Sequence, residues 1–167
     1  MDTGVGITLA FWIMAVALVV SALAVVLLRN IFRAALSLVV SFLAVAGVYV
    51  LLQADFLAVV QILIYVGAVA ILMIFAIMLT RDVQQGNLPS RLRFSSLFLS
   101  VLLMVLMVVV VTSTGWNLSA QPPETDTTGA IARAVFAENG GYVLPFEVVS
   151  VLLLASIIGA IVLVREK

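Results

Sequence analysis

The 167-residue chain contains no cysteine and no histidine. Thiolate-held iron–sulfur clusters, histidine-ligated haem and the common zinc sites each need one or the other, so the chain by itself can hold none of them. The four prolines and ten glycines form neither GxGxxG nor GxxxxGK[ST], and no polar stretch is long enough to fold around a nucleotide. Charge is also scarce. Eight basic and eight acidic residues make up 10% of the chain and cancel. Hydrophobic residues dominate, at 65% of the sequence with a mean hydropathy of +1.36. A soluble domain is only about half apolar. The composition therefore predicts a membrane protein almost throughout.

A bilayer core about 30 Å thick needs around 20 apolar residues per crossing helix. Five runs meet that length, approximately residues 5–28, 31–52, 56–80, 94–114 and 142–164. None alternates polar with apolar, as a barrel strand would. The expected fold is an all-α integral membrane protein of five transmembrane helices in a single membrane domain, residues 1–167. The first run is long and lacks a basic leader, so it is expected to be a retained helix and not a signal peptide.

Charges between the runs predict orientation. Arg29, Arg33, Arg81, Arg91, Arg93, Arg165 and Lys167 fall on one side, and Arg133 alone on the other. The positive-inside rule then puts the N-terminus outside and the C-terminus in the cytoplasm. Short connections at Arg29-Asn30 and Gln53-Ala54-Asp55 predict that the first three helices pack as antiparallel neighbours. The connection RDVQQGNLPSRLR reads as a surface loop. Residues 115–141 form the long extracytoplasmic loop, with Pro122-Pro123 opposing regular structure and Thr128 to Asn139 suited to a short surface helix.

Polar groups inside hydrocarbon are costly, so each is a candidate for function. In the third run Gln61 and Tyr65 lie four apart and share a helix face with Ala58 and Ala68, a small polar stripe expected to face protein. Two readings stand for it. Gln61 and Tyr65 make interhelical hydrogen bonds while Gly67 permits close packing. Alternatively, the glycine-bearing turn is a π-bulge that realigns side chains at a functional site. Glu147, two residues after Pro145, reads either as a hydrated charge favoured by a helix N-terminus or as a carboxylic acid in a proton path. Asp55 reads most simply as the N-cap of the third helix, with a titrating role as the alternative. Small residues at Ser156/Ala160 and Ala155/Gly159 suit helix packing. Ser37, Ser41 and Gly47 read as packing residues of the second helix, and Tyr49, Trp12 and Trp116 as interface aromatics.

The stretch ADFLAVVQILIYVGAVAILMIFAIMLT, Ala54 to Thr80, resembles the signature helix of subunit J of bacterial NADH:quinone oxidoreductase, respiratory complex I, the family of mitochondrial chain 6. LRNIFRAALSLVVSFLAVAGVYVLL and LPFEVVSVLLLASIIGAIVLVRE resemble the second and last helices of that family. The resemblance implies a membrane-arm subunit without a redox centre, in the cell (inner or plasma) membrane, beside subunits A, H, K and N and in contact with lipid but not with nucleic acid. It implies a non-catalytic role in coupling quinone reduction to proton translocation. NADH, FMN, iron–sulfur clusters and quinone would then be bound by other subunits. It also implies a π-bulge at Tyr65, Val66 and Gly67 whose conversion to regular helix gates the hydration of a proton path. Two alternatives remain: an independent small transporter or channel, built on Gln61, Tyr65 and Glu147, and the equivalent subunit of a ferredoxin-dependent photosynthetic complex.

Overall fold

A computed structural model of the chain describes residues 2–80, 93–116, 126–137 and 141–165, with the side chains of residues 2, 3 and 93 excepted. The RDVQQGNLPSRLR loop through residue 92 and Pro122-Pro123 fall outside the described residues. The described residues form six helices: α1 (Asp2–Leu27), α2 (Ile31–Leu51), α3 (Asp55–Leu79), α4 (Arg93–Ser113), α5 (Thr127–Phe136) and α6 (Val143–Val164). Five of them, all but α5, are long and apolar enough to cross a bilayer. The chain is a multi-pass membrane protein.

Helices α1, α2 and α3 pack together with α2 in the middle. The sequence of α2 explains how one helix serves two neighbours. At about 100° per residue, Ala35, Phe42 and Ala46 fall on one face and Ser41, Ala44 and Gly47 on the other. Phe42 meets Tyr65 of α3 edge-on, with ring centroids 5.5 Å apart. On the opposite face Gly47 meets Met14 of α1, whose sulfur would stand 2.7 Å from any Cβ added there. Ala35, Ser41, Ala44 and Ala46 are all buried. Small side chains on both faces let α1 and α3 approach without the large apolar residues that a water-soluble core requires.

The turns are set locally. Asn30 caps α2, its Oδ1 accepting from the Arg33 amide at 3.1 Å. At the other end of α2, the Gln53 amide donates to the Val50 carbonyl (3.0 Å) and the Ala54 amide to the Tyr49 carbonyl (2.9 Å). That pair of bonds is a Schellman closure, and its left-handed residue is Gln53 at φ 58°. The connection is so short that Ala54, not Asp55, occupies the cap position of α3, and no side chain caps that end. The expectation for Asp55 is corrected accordingly. It is the first helical residue and exposed, placed where the helix dipole favours a carboxylate without capping an amide.

Helix α5 lies against the start of α3 and against α6. Asp126 caps it by accepting from the Gly129 amide at 2.8 Å, and the Thr127 hydroxyl reaches the Gln53 carbonyl at 3.3 Å. The α5–α6 joint is closed by a bond from the Tyr142 amide to the Ala134 carbonyl (3.1 Å) and by the edge-on rings of Phe136 and Phe146. The α2–α3 turn, α5 and the start of α6 thus share one side of the membrane unit, called here the loop side. Within the described residues α6 packs on no other element than α5, and α4 on none. The small residues of α6 therefore have no packing partner among the described residues, and the space around Gly159 is open.

Candidate functional site: the π-helical centre of α3

Helix α3 is not one regular helix. Residues Asp55–Val60 and Ile71–Leu79 are α-helical, and the ten residues between them, Gln61–Ala70, form a π-helix. Gly67 stands at the midpoint of the span. A Cβ built on Gly67 would lie 3.3 Å from the Ile62 carbonyl oxygen, five residues back. That carbonyl is the one that i→i+5 pairing brings under the Gly67 amide. A side chain at this point would require the wider turn to give by a few tenths of an ångström, and glycine avoids that contact.

The wider turn also reassigns the faces. Ala58, Gln61 and Ala70 are buried, whereas Ala68 is exposed. In an α-helix two residues nine apart are separated by about 900°, two and a half turns, and so point in opposite directions. Gln61 and Ala70 are nine apart and both buried, so the segment makes two turns where an α-helix makes two and a half. Each residue advances about 80° and not about 100°. The stripe expected at Ala58, Gln61, Tyr65 and Ala68 holds as far as Tyr65, which meets Phe42, and then departs from Ala68 to Ala70. That correction follows directly from the change of period.

Gln61 is 8% exposed. Counted outward from the turn at Gln53, it stands about level with Ala46, which is also buried. Tyr65 is 45% exposed, Val66 is partly covered, and Gly67 is exposed. Thus Gln61 and Tyr65 face α2, whereas Gly67 presents bare backbone to the surface of the chain. Asp55 lies two turns toward the loop side. Glu147 belongs to α6, which does not touch α3. The structure therefore brings Gln61, Tyr65, Val66 and Gly67 together and leaves Asp55 and Glu147 apart from them. Among the described residues no group of three or more acidic side chains could hold a metal ion.

Phe42, Ala46 and Ala70 are parts of the site that periodicity in α3 alone does not reveal. The one available signal was the pairing of α2 with α3 through a three-residue turn, which sets Phe42 and Tyr65 at equal distance from it.

The sequence of this chain has counterparts among known proteins. A family model described as NADH-ubiquinone/plastoquinone oxidoreductase chain 6 matches residues 21–163. The chain belongs to this family. NAD(P)H-quinone oxidoreductase subunit 6 from the organellar chromatophore of Paulinella chromatophora is 41% identical over 162 residues, covering 95% of this chain and 78% of the relative. The F(420)H(2) dehydrogenase subunit J of Methanosarcina mazei is 38% identical over 165 residues, covering 96% and 92%. NAD(P)H-quinone oxidoreductase chain 6 of Synechocystis is 40% identical over 162 residues, covering 95% and 80%. As a chain 6 protein, this one places the end of α1 and all of α2 through α5 within the matched region, together with Glu147 and nearly all of α6.

Proposed function

We propose that this chain is a membrane-arm subunit of a proton-translocating quinone oxidoreductase, and that the π-helical segment Gln61–Ala70 is its working element. Chain 6 membership supports the first part, and the ten-residue π segment at the middle of α3 carries the second. The chain holds no redox centre and does no chemistry of its own. NADH or another donor, FMN, iron–sulfur clusters and quinone bind to other subunits. Relatives named for NAD(P)H and for F420H2 support leaving the donor outside this chain. Its neighbours are small membrane subunits, the subunit that holds the quinone site, and an antiporter-like subunit. It resides in the cell's energy-converting membrane with the loop side facing out. The distribution of basic residues supports that orientation.

Such a segment would act through a change of helix form. Returning Gln61–Ala70 to α-helix adds about 20° per residue, which turns Ile71–Leu79 by about half a revolution against Asp55–Val60. Side chains now facing α2 would then face partners, and water held by one face would be lost from it. Proton passage thereby becomes dependent on helix form, without any titrating group in the segment except Tyr65. Asp55 and Glu147 stand outside this element.

A tag on this chain tests the assignment. The preparation should contain the quinone-site and antiporter-like subunits, and their absence would end it. In the assembled complex Gly67→Val should lower protons moved per electron more than Glu147→Gln does. Equal, small effects would refute the role given to the π segment.

A further inference from the structure

Glu147 is the one acidic or basic residue, among those described, that sits deeper than three residues from the end of a span. It is the fifth residue of the 22-residue helix α6, about 6 Å along a helix that barely exceeds the ~30 Å hydrocarbon layer. Its side chain is exposed, and no ion pair involves it among the described residues. Among the described residues no side chain of its own helix bonds to it. The positions one turn away are Val143, Leu144, Ser150 and Val151, and the Ser150 hydroxyl already donates to the Phe146 carbonyl at 2.9 Å. Among the described residues the only element packed on α6 is α5, whose one basic residue, Arg133, is turned to Asp126 at 3.7 Å. A carboxyl group held in apolar surroundings needs a partner, and the described part of this chain does not supply one.

We propose that α6 presents Glu147 to a cationic side chain, Lys or Arg, on a membrane helix of a neighbouring subunit. The pair fixes α6 to that neighbour in the loop-side half of the membrane. This rests on the reading of the chain as a membrane-arm subunit. It also explains why α6 has no packing within the three-helix unit: its position is set from outside, by one charge pair and an otherwise apolar surface. Charge complementarity selects the occupant, since a wholly apolar partner helix would leave the carboxyl group buried and unpaired, which is strongly destabilising.

The test uses the complex purified through a tag on this chain, with the amount of tagged chain in the membrane measured for every variant. Glu147→Lys should reduce recovery of the neighbouring subunits about tenfold or more, and Glu147→Gln, which keeps shape and hydrogen bonding, should reduce it less. A scan of single Lys→Glu and Arg→Glu changes in the neighbours' spans should find one that restores assembly with Glu147→Lys. Wild-type recovery with both Glu147→Gln and Glu147→Leu would overturn the proposal and leave a hydrated interface charge. Full assembly with Glu147→Gln but fewer protons per electron would overturn it in favour of a proton carrier. Failure of every reversal to restore Glu147→Lys would overturn it too. If the unmodified tagged chain brings down no quinone reductase, the membrane-arm reading itself fails, a result distinct from all of these.

Discussion

Gly67→Val tests the link between sequence and helix form most directly. The substitution places a Cβ 3.3 Å from the Ile62 carbonyl oxygen and adds two methyl groups beyond it, in a backbone that must then yield. Overpacking of this kind costs about 1–3 kcal/mol. The cost falls on the π form, because α pairing moves the Ile62 carbonyl away from residue 67. The balance between the two forms should therefore shift toward the α form by about 5- to 150-fold. The faces report the shift. Ala70 is 1% exposed and Ala68 is exposed, and straightening exchanges them. The chain has no cysteine of its own, so Ala70→Cys and Ala68→Cys each give it a single thiol. With Gly67 present, a membrane-permeant maleimide should label position 68 faster than position 70. With Gly67→Val the order should narrow or invert. An unchanged ratio in a folded complex would refute the claim that Gly67 permits the π form.

Other substitutions test the supports around this helix. Gln53 holds a left-handed conformation at φ 58°, so Gln53→Gly should raise thermal stability by about 1 kcal/mol, whereas Gln53→Val should lower it, both read from unfolding in detergent. Asp126→Ala removes the side-chain cap of α5 and should cost about 1 kcal/mol locally, seen as faster amide exchange confined to residues 127–136. Gly141→Ala would drive a Cβ into the Ala137 carbonyl oxygen and to 2.9 Å from its amide nitrogen. It should open the α5–α6 joint, detectable as a lost contact between Phe136 and Phe146 by cysteine cross-linking. Retention of that cross-link would count against the role given to Gly141. Arg133→Gln should leave α5 unchanged in amide exchange, because the Arg133–Asp126 pair is about two-thirds exposed on both sides and exposed pairs contribute about 0–1 kcal/mol.

The parts of the site differ in how visible they were before folding. Gln61 and Tyr65 stood out because a polar group in hydrocarbon is expensive wherever it lies, and Gly67 because a glycine at the middle of a span has no propensity to recommend it. Their common face followed from helical spacing, which holds while the helix is regular. Ala68 was misplaced because the period changes inside the segment, and a change of period leaves no mark on hydrophobicity when every residue nearby is apolar. Asp55 was misread for a related reason. Its chemistry suits a cap, but the Schellman closure at Gln53 uses up the connection and moves the cap position to Ala54.

Sequence alone determined the solvent of this protein and the number of times it crosses it. Five apolar runs and a near-absence of charge admit no other outcome, since backbone amides in lipid must be paired within helices. The lack of cysteine and histidine likewise settled which redox centres this chain cannot hold. Tertiary structure decided which helix is central, which faces meet, and where α3 departs from α geometry. Those choices depend on the fit of side chains such as Gly47 against Met14 and Phe42 against Tyr65. In a chain this uniformly apolar, packing shape and not hydrophobic pattern distinguishes one face from another.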